Sequence, residues 1–183
     1  MSDRAPLLVL GLGNVLLEDD GAGAAAVARL VDDFEPPPGA RVLDGGTLGL
    51  SLLPYLGEAD TVLLVDAVHT DDAPGTLVRL EGDEVPPAVA TRLSPHQVGV
   101  ADLLDGARLV GRYPRRVVLH GVVPASIELG VGLTPAVQAA LPALVERVVE
   151  EARACGFVFA RRDADETPVG GRTLDVVRAA GVR

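Results

Sequence analysis

Lysine is missing altogether: the 16 basic residues of this 183-residue chain are all arginines. That one absence removes a P-loop lysine, a Schiff-base lysine and a pyridoxal enzyme together. Cysteine occurs once, at Cys155, so no intramolecular disulfide can form, which fits a reducing cytoplasm. No apolar run approaches the ~18 uninterrupted residues that a bilayer crossing needs. The apolar run from Leu7 is broken by glycine and then meets three acids, a pattern unlike a secretory signal. There is no H-E-x-x-H, and Gly49-Leu-Ser-Leu-Leu53 approaches a nucleophile elbow but lacks its final glycine. Positive charge is scarce as well. With 26 acids the formal net charge is −10, which argues against nucleic acid or an anionic membrane as partner.

What is present points to one α/β domain. Hydrophobic residues make up 48% of the chain, rich in Val, Leu and Ala, as a parallel sheet covered by helices requires. A chain of this length buries roughly 70% of its unfolded surface. The organising stretch runs from Leu7 to Gly23. Leu7 to Leu10 reads as a buried parallel strand, Gly11 and Gly13 allow a tight turn, and helical spacing resumes over Ala22 to Val31. Strand, glycine turn and helix open a doubly wound fold, whose ligand crevice lies outside the strand C-termini. Glu18, Asp19 and Asp20 occupy the turn. G-x-G-x-x-G is approached, but its third glycine position is Leu16, and three acids oppose a pyrophosphate. A cation site fits better than a nucleotide site.

Further along, the first helix is expected over about 21 to 33, ended by the prolines of Glu35 to Gly39. Short strands follow at Arg41 to Asp44 and Thr61 to Asp66, separated by a helix over Leu48 to Leu56 with an irregular end at Pro54. Thr76 to Leu80 reads as an edge strand, and residues 81 to 90 as a surface excursion. Ser94-Pro-His-Gln97 is a helix-start signature, with Ser94 as N-cap and Gln97 closing a capping box, for a helix reaching about Val110. Arg115 to Val123 is the last strong strand. A helix from Thr134 to about Cys155 carries an apolar stripe, with a kink or break expected at Pro142. The domain is taken as residues 1–157. Residues 158–183 are read as a polar, flexible tail, with two helical turns over Thr173 to Ala180 as the alternative.

Three groups fall where an α/β fold places ligands: Asp20 after the first strand, Asp66 at the end of a central strand, and His96 in a helix's first turn. The helix dipole there favours the neutral imidazole that a metal ligand must be. Two carboxylates and an imidazole leave coordination positions open and suit nickel or zinc better than calcium. Taken singly, Asp19 or Asp20 can serve merely as a cap for the first helix, Asp66 can bind loop amides, and His96 can be a surface residue. His69, His120 and Cys155 read as structural.

The segments Gly11-Leu-Gly-Asn-Val-Leu-Leu-Glu-Asp-Asp-Gly21, Asp44-Gly-Gly-Thr47, Val65-Asp-Ala67, Ala73-Pro-Gly-Thr76 and Ser94-Pro-His-Gln-Val-Gly99 occur in this order. Gly121-Val-Val-Pro124 and Gly132-Leu-Thr-Pro135 follow them. As an ordered set they resemble the motifs of the hydrogenase maturation endopeptidases, over roughly Leu7 to Cys155. The resemblance implies a three-layer fold, a twisted, mostly parallel sheet of about five strands between helices. It implies a cytoplasmic endopeptidase that removes the C-terminal extension of a nickel–iron hydrogenase large-subunit precursor after nickel insertion. The family's metal-contacting residues fall on Asp20, Asp66 and His96, and Asp44 of the DGGT motif joins them as a support of the catalytic cleft. Some members carry glutamate at the place of Asp20, so the ligand here is retracted by about one C–C bond. Nickel is expected to arrive with the precursor rather than to be held by the empty enzyme, which is expected to be a monomer. The rival reading is a non-catalytic nickel-sensing or escort protein using the same ligands.

Overall fold

The computed structural model describes residues 6–85, 100–162 and 175–176. The organising stretch folds as read: β1 (Leu7–Leu12), a tight 3-10 turn at Glu18–Gly21, and α1 (Ala22–Asp33). The chain continues through β2 (Phe34–Glu35), β3 (Ala40–Gly46), a 3-10 turn at Gly49–Leu52, α2 (Leu53–Gly57) and β4 (Thr61–Ala67). Then come β5 (Leu77–Glu81), α3 (Val100–Leu109), β6 (Arg116–Val122), α4 (Pro135–Ala154), β7 (Ala160–Arg161) and β8 (Asp175–Val176). The main sheet runs β5-β6-β4-β1-β3, with the two-residue β8 added on the β3 edge. Within this sheet, among the described residues, β5 is the one strand antiparallel to its neighbour. This is the three-layer, mostly parallel architecture expected.

The strands are apolar on both sides because both faces are covered, as parallel sheets require. Leu7 and Val9 of β1, with Leu63 and Val65 of β4, pack under α1 and α4. Leu8 and Leu10, with Val62 and Leu64, pack under α2 and α3 on the other face. Alternation along each strand thus feeds two cores. The chain leaves β1 for β3 on one side, then crosses back to β4 on the other. Reversal of direction beside β1 opens a crevice between the C-terminal ends of β1 and β4, where open α/β sheets bind ligands.

Several expectations shift. Pro54 stands at the start of α2, where its missing N–H has no partner to lose, and not at the end. Pro142 does not break α4, which is continuous over 20 residues, with Leu141, Leu144 and Val145 buried against the sheet. Packing of the apolar stripe outweighs the single hydrogen bond that proline removes. Residues 158–162, assigned above to the tail, continue the body. β7 pairs antiparallel with β2, the Arg161 guanidinium lies 4.6 Å from the Phe34 ring centre, and Arg162 donates to the carbonyls of Val31 and Phe34. The helical alternative for Thr173 to Ala180 gives way at Asp175–Val176, which pair as a strand with Leu43 and Asp44. The helix-start signature at Ser94 to Gln97 lies outside the described residues. No helix among the described residues is long and apolar enough to cross a membrane.

Candidate functional site

Gly13 is the point on which the site converges. It follows β1 with φ +117°, a backbone conformation that L side chains rarely adopt. A Cβ built there would stand 1.7 Å from the carbonyl oxygen of Asp20 and 3.6 Å from Oδ1 of Asp66. Its N–H donates to the carbonyl of Gly46 at 3.1 Å. The ends of β1, β3 and β4 are thereby brought against one residue that has no side chain.

Around that point the predicted carboxylates gather. Asp66 is buried in β4, and its Oδ1 accepts from its own neighbour's N–H, that of Ala67, at 2.9 Å. Asp20 is partly exposed, and its Oδ2 accepts the N–H of Asn14 at 2.7 Å. Asp44 Oδ1 accepts the N–H of Gly46 at 3.1 Å, holding the turn that meets Gly13. The structure therefore brings Asp20, Asp44 and Asp66 to the C-terminal edge of the sheet: Asp20 and Asp66 beside the switch point between β1 and β4, and Asp44 across β1 on the β3 side. His96 lies outside the described residues. Among those that are described, no group of three His, Cys, Asp or Glu side chains is arranged to hold a metal ion. His69 is exposed in the loop after β4.

Asp19 does something the sequence reading did not see. Neither it nor Asp20 caps α1, whose N-cap is Gly21 and carries no side-chain bond. Asp19 is fully buried and fastens the β1–α1 turn to the distant 124–134 loop. Its Oδ2 accepts from the N–H of Ala125 (2.8 Å) and of Ser126 (3.3 Å) and from the Thr134 hydroxyl (2.7 Å), while Oδ1 accepts the N–H of Thr134 (2.7 Å). Burial works against the charge, but the bonds from Thr134, Ala125 and Ser126 together hold the Asp19 carboxyl below its ordinary range. The same two loops exchange backbone bonds, Glu18 N–H to Gly130 and Gly130 N–H to Leu16. Glu18 has φ +44°, and a non-glycine residue held there stores strain of a kind that clusters at functional sites. The signal available in sequence was only that one of three consecutive acids had to point inward; its partners lie more than a hundred residues away.

A second polar group lies under α4, away from the crevice. His120 of β6 is 2% exposed, and neither ring nitrogen has a hydrogen bond among the described residues. Nε2 stands 3.4 Å from Glu151, a carboxylate already engaged by Arg79 and Arg116. Burial, with the positive charge of Arg79 and Arg147, outweighs Glu151 and pushes the imidazole down to about 4. Arg116 also donates to the Cys155 thiol at 3.1 Å; burial raises that thiol above its ordinary value. The structural readings of His120 and Cys155 agree with this placement.

Residues 25–151 match the family model described as hydrogenase maturation protease. The chain belongs to that family. The hydrogenase 2 maturation protease of Escherichia coli K12 is 39% identical over 159 residues, covering 86% of this chain and 97% of that one. The hydrogenase expression/formation protein HupD of Rhodobacter capsulatus is 42% identical over 153 residues, 82% of this chain and 73% of its own. The solved structure of the maturating endopeptidase HybD from E. coli superposes with a TM-score of 0.81 at 39% identity, across 86% of this chain and 98% of that chain. This hydrogenase maturation protease thus carries the family's fold, with Asp20 and Asp66 beside Gly13 at the switch point and Asp44 across β1 from them.

Proposed function

We propose that the protein is an endopeptidase that removes a C-terminal extension from a nickel–iron hydrogenase large-subunit precursor once nickel is in place. In this reading nickel belongs to the substrate. Asp20, Asp66 and His96 complete its coordination, and that contact licenses the cut. Support comes from one observation above all: Asp20 and Asp66, 46 positions apart in sequence, are carried to the same glycine at the sheet's switch point. Oxygen donors with one imidazole suit a borderline divalent ion and leave room for the donors the precursor brings.

Hydrolysis adds water across the scissile amide: the carbonyl carbon gains the oxygen, and the amine leaves with a proton. A crevice carboxylate serves as the base that takes the water's proton and returns it to the leaving nitrogen. Asp44, fixed by Gly46, shapes the wall of the cleft. The enzyme acts in the cytoplasm as a monomer.

The test mixes purified protein with its cognate precursor, nickel-loaded or nickel-free, and follows loss of C-terminal mass. The loaded precursor alone is shortened, and Asp20→Asn or His96→Ala abolishes the product. Binding of a verified cognate precursor without any shortening would overturn this reading in favour of a non-catalytic escort.

A further inference from the structure

We propose that the two loops fastened by Asp19 form an apolar docking rim for the polypeptide substrate, with Val15 and Leu16 on one loop and Leu129 and Val131 on the other. The inference rests on the proposed function and adds to it the surface that holds the chain being cut. These four side chains are 53%, 54%, 86% and 86% exposed, although each is large and apolar. They are not scattered. Leu17 and Gly130 pair as a parallel bridge, which sets Leu129 and Val131 beside the 15–17 segment. Asp19 locks the base of both loops, so the rim is a formed surface and not a pair of loose ends. Apolar side chains presented together on a rigid edge mark an interaction site.

The occupant follows from position and charge. The notional Cβ of Gly21 stands 3.0 Å from Cα of Val15, so the rim lies against the turn that carries Asp20. A chain seated on it passes the carboxylates of the crevice. Of the acids on the two loops, 14–20 and 124–134, Asp19 is buried while Glu18, Asp20 and Glu128 reach solvent, and neither loop has an Arg, Lys or His. The rim therefore suits an extended segment with apolar side chains and positive rather than negative charge. A second copy of this chain is the poorer fit, because a symmetric contact would set the same acidic rim against itself on two bodies of charge −10. The geometry points to the precursor segment that flanks the scissile bond.

The experiment compares wild type with the double variant Leu129→Ser/Val131→Ser on nickel-loaded cognate precursor, measuring kcat, KM and direct binding. Leu109→Ser is the control: Leu109 is 92% exposed and ends α3, at the other end of the sheet. Unfolding midpoints confirm that each variant is folded. The double variant raises KM by roughly tenfold or more and weakens precursor binding in parallel, the loss expected when two apolar contacts go. The control does neither. Unchanged KM and binding in the double variant, while wild type cuts, would overturn the rim and leave the proposed function standing. A concentration-dependent dimer abolished by the double variant would overturn it in favour of self-association. A wild type that neither cuts nor binds the loaded precursor would overturn both.

Discussion

His120 offers a quantitative handle on the interior. A group pushed from the ordinary 6.5 down to about 4 binds fewer protons in the folded chain than in the unfolded one across that window. Stability therefore falls as pH drops through 6.5, and the loss is complete below the folded value. The full gap, 2.5 units at 1.36 kcal/mol each, amounts to about 3 kcal/mol, of which about 2 is lost between pH 7.5 and 5. Asp19 and Glu151 are both held below their ordinary values, so they release stability only at lower pH and leave this window to the imidazole. Burial is the largest cause. The ring also faces Glu151 and Arg147 of α4 and Arg79 of β5. The assay is urea unfolding of wild type and His120→Leu at pH 7.5 and pH 5. His69 and His96 are present in both proteins, so their contributions cancel in the difference. Wild type should lose about 2 kcal/mol more than the variant. The ring's own titration, followed by NMR, should fall well below 6.5. Parallel pH profiles for the two proteins, or a His120 ring that titrates near 6.5, would refute the argument that burial governs this group.

Asp19→Asn puts an amide NH₂ or its oxygen where four donors converge, so at least one oxygen's donors lose their acceptor. Urea unfolding at pH 7 should show a loss of about 3 kcal/mol, accompanied by faster amide exchange at Ala125 and Thr134. Arg41 and Glu58 form a bond of 2.6 Å, but both side chains are more than half exposed, so Arg41→Ala should change stability by less than about 1 kcal/mol in the same assay.

Local pattern carried much of this molecule. The run from Leu7, the glycines after it and the stripe of α1 specified strand, turn and helix, because each is decided by neighbours within one or two turns. Asp66 was legible for the same reason: a carboxylate ending an apolar strand sits where a parallel sheet opens. Asp19 was not. Its acceptors' partners lie 106 to 115 residues away, and nothing local separates it from Glu18 or Asp20. The break expected at Pro142 does not occur, because propensity speaks for an isolated helix, whereas α4 is held by the core beneath it. The polar run from Arg161 onward drew the tail boundary too early; Phe159 is buried in the core, and Arg161 and Arg162 lie over Phe34 and the end of α1.

The long reach of Asp19 also sets a schedule for the newly made protein. Asp20 and Asp66 both belong to the first 66 residues, yet the turn that presents Asp20 is fastened only when Thr134 arrives, 115 residues after Asp19. At ribosomal speeds that interval is roughly 6 to 23 s, and β6, which flanks β4, emerges near its end. A half-built chain thus carries the acids without the clasp. The turn that carries Asp20 is thus finished only after residue 134 of 183, a delay set by topology alone.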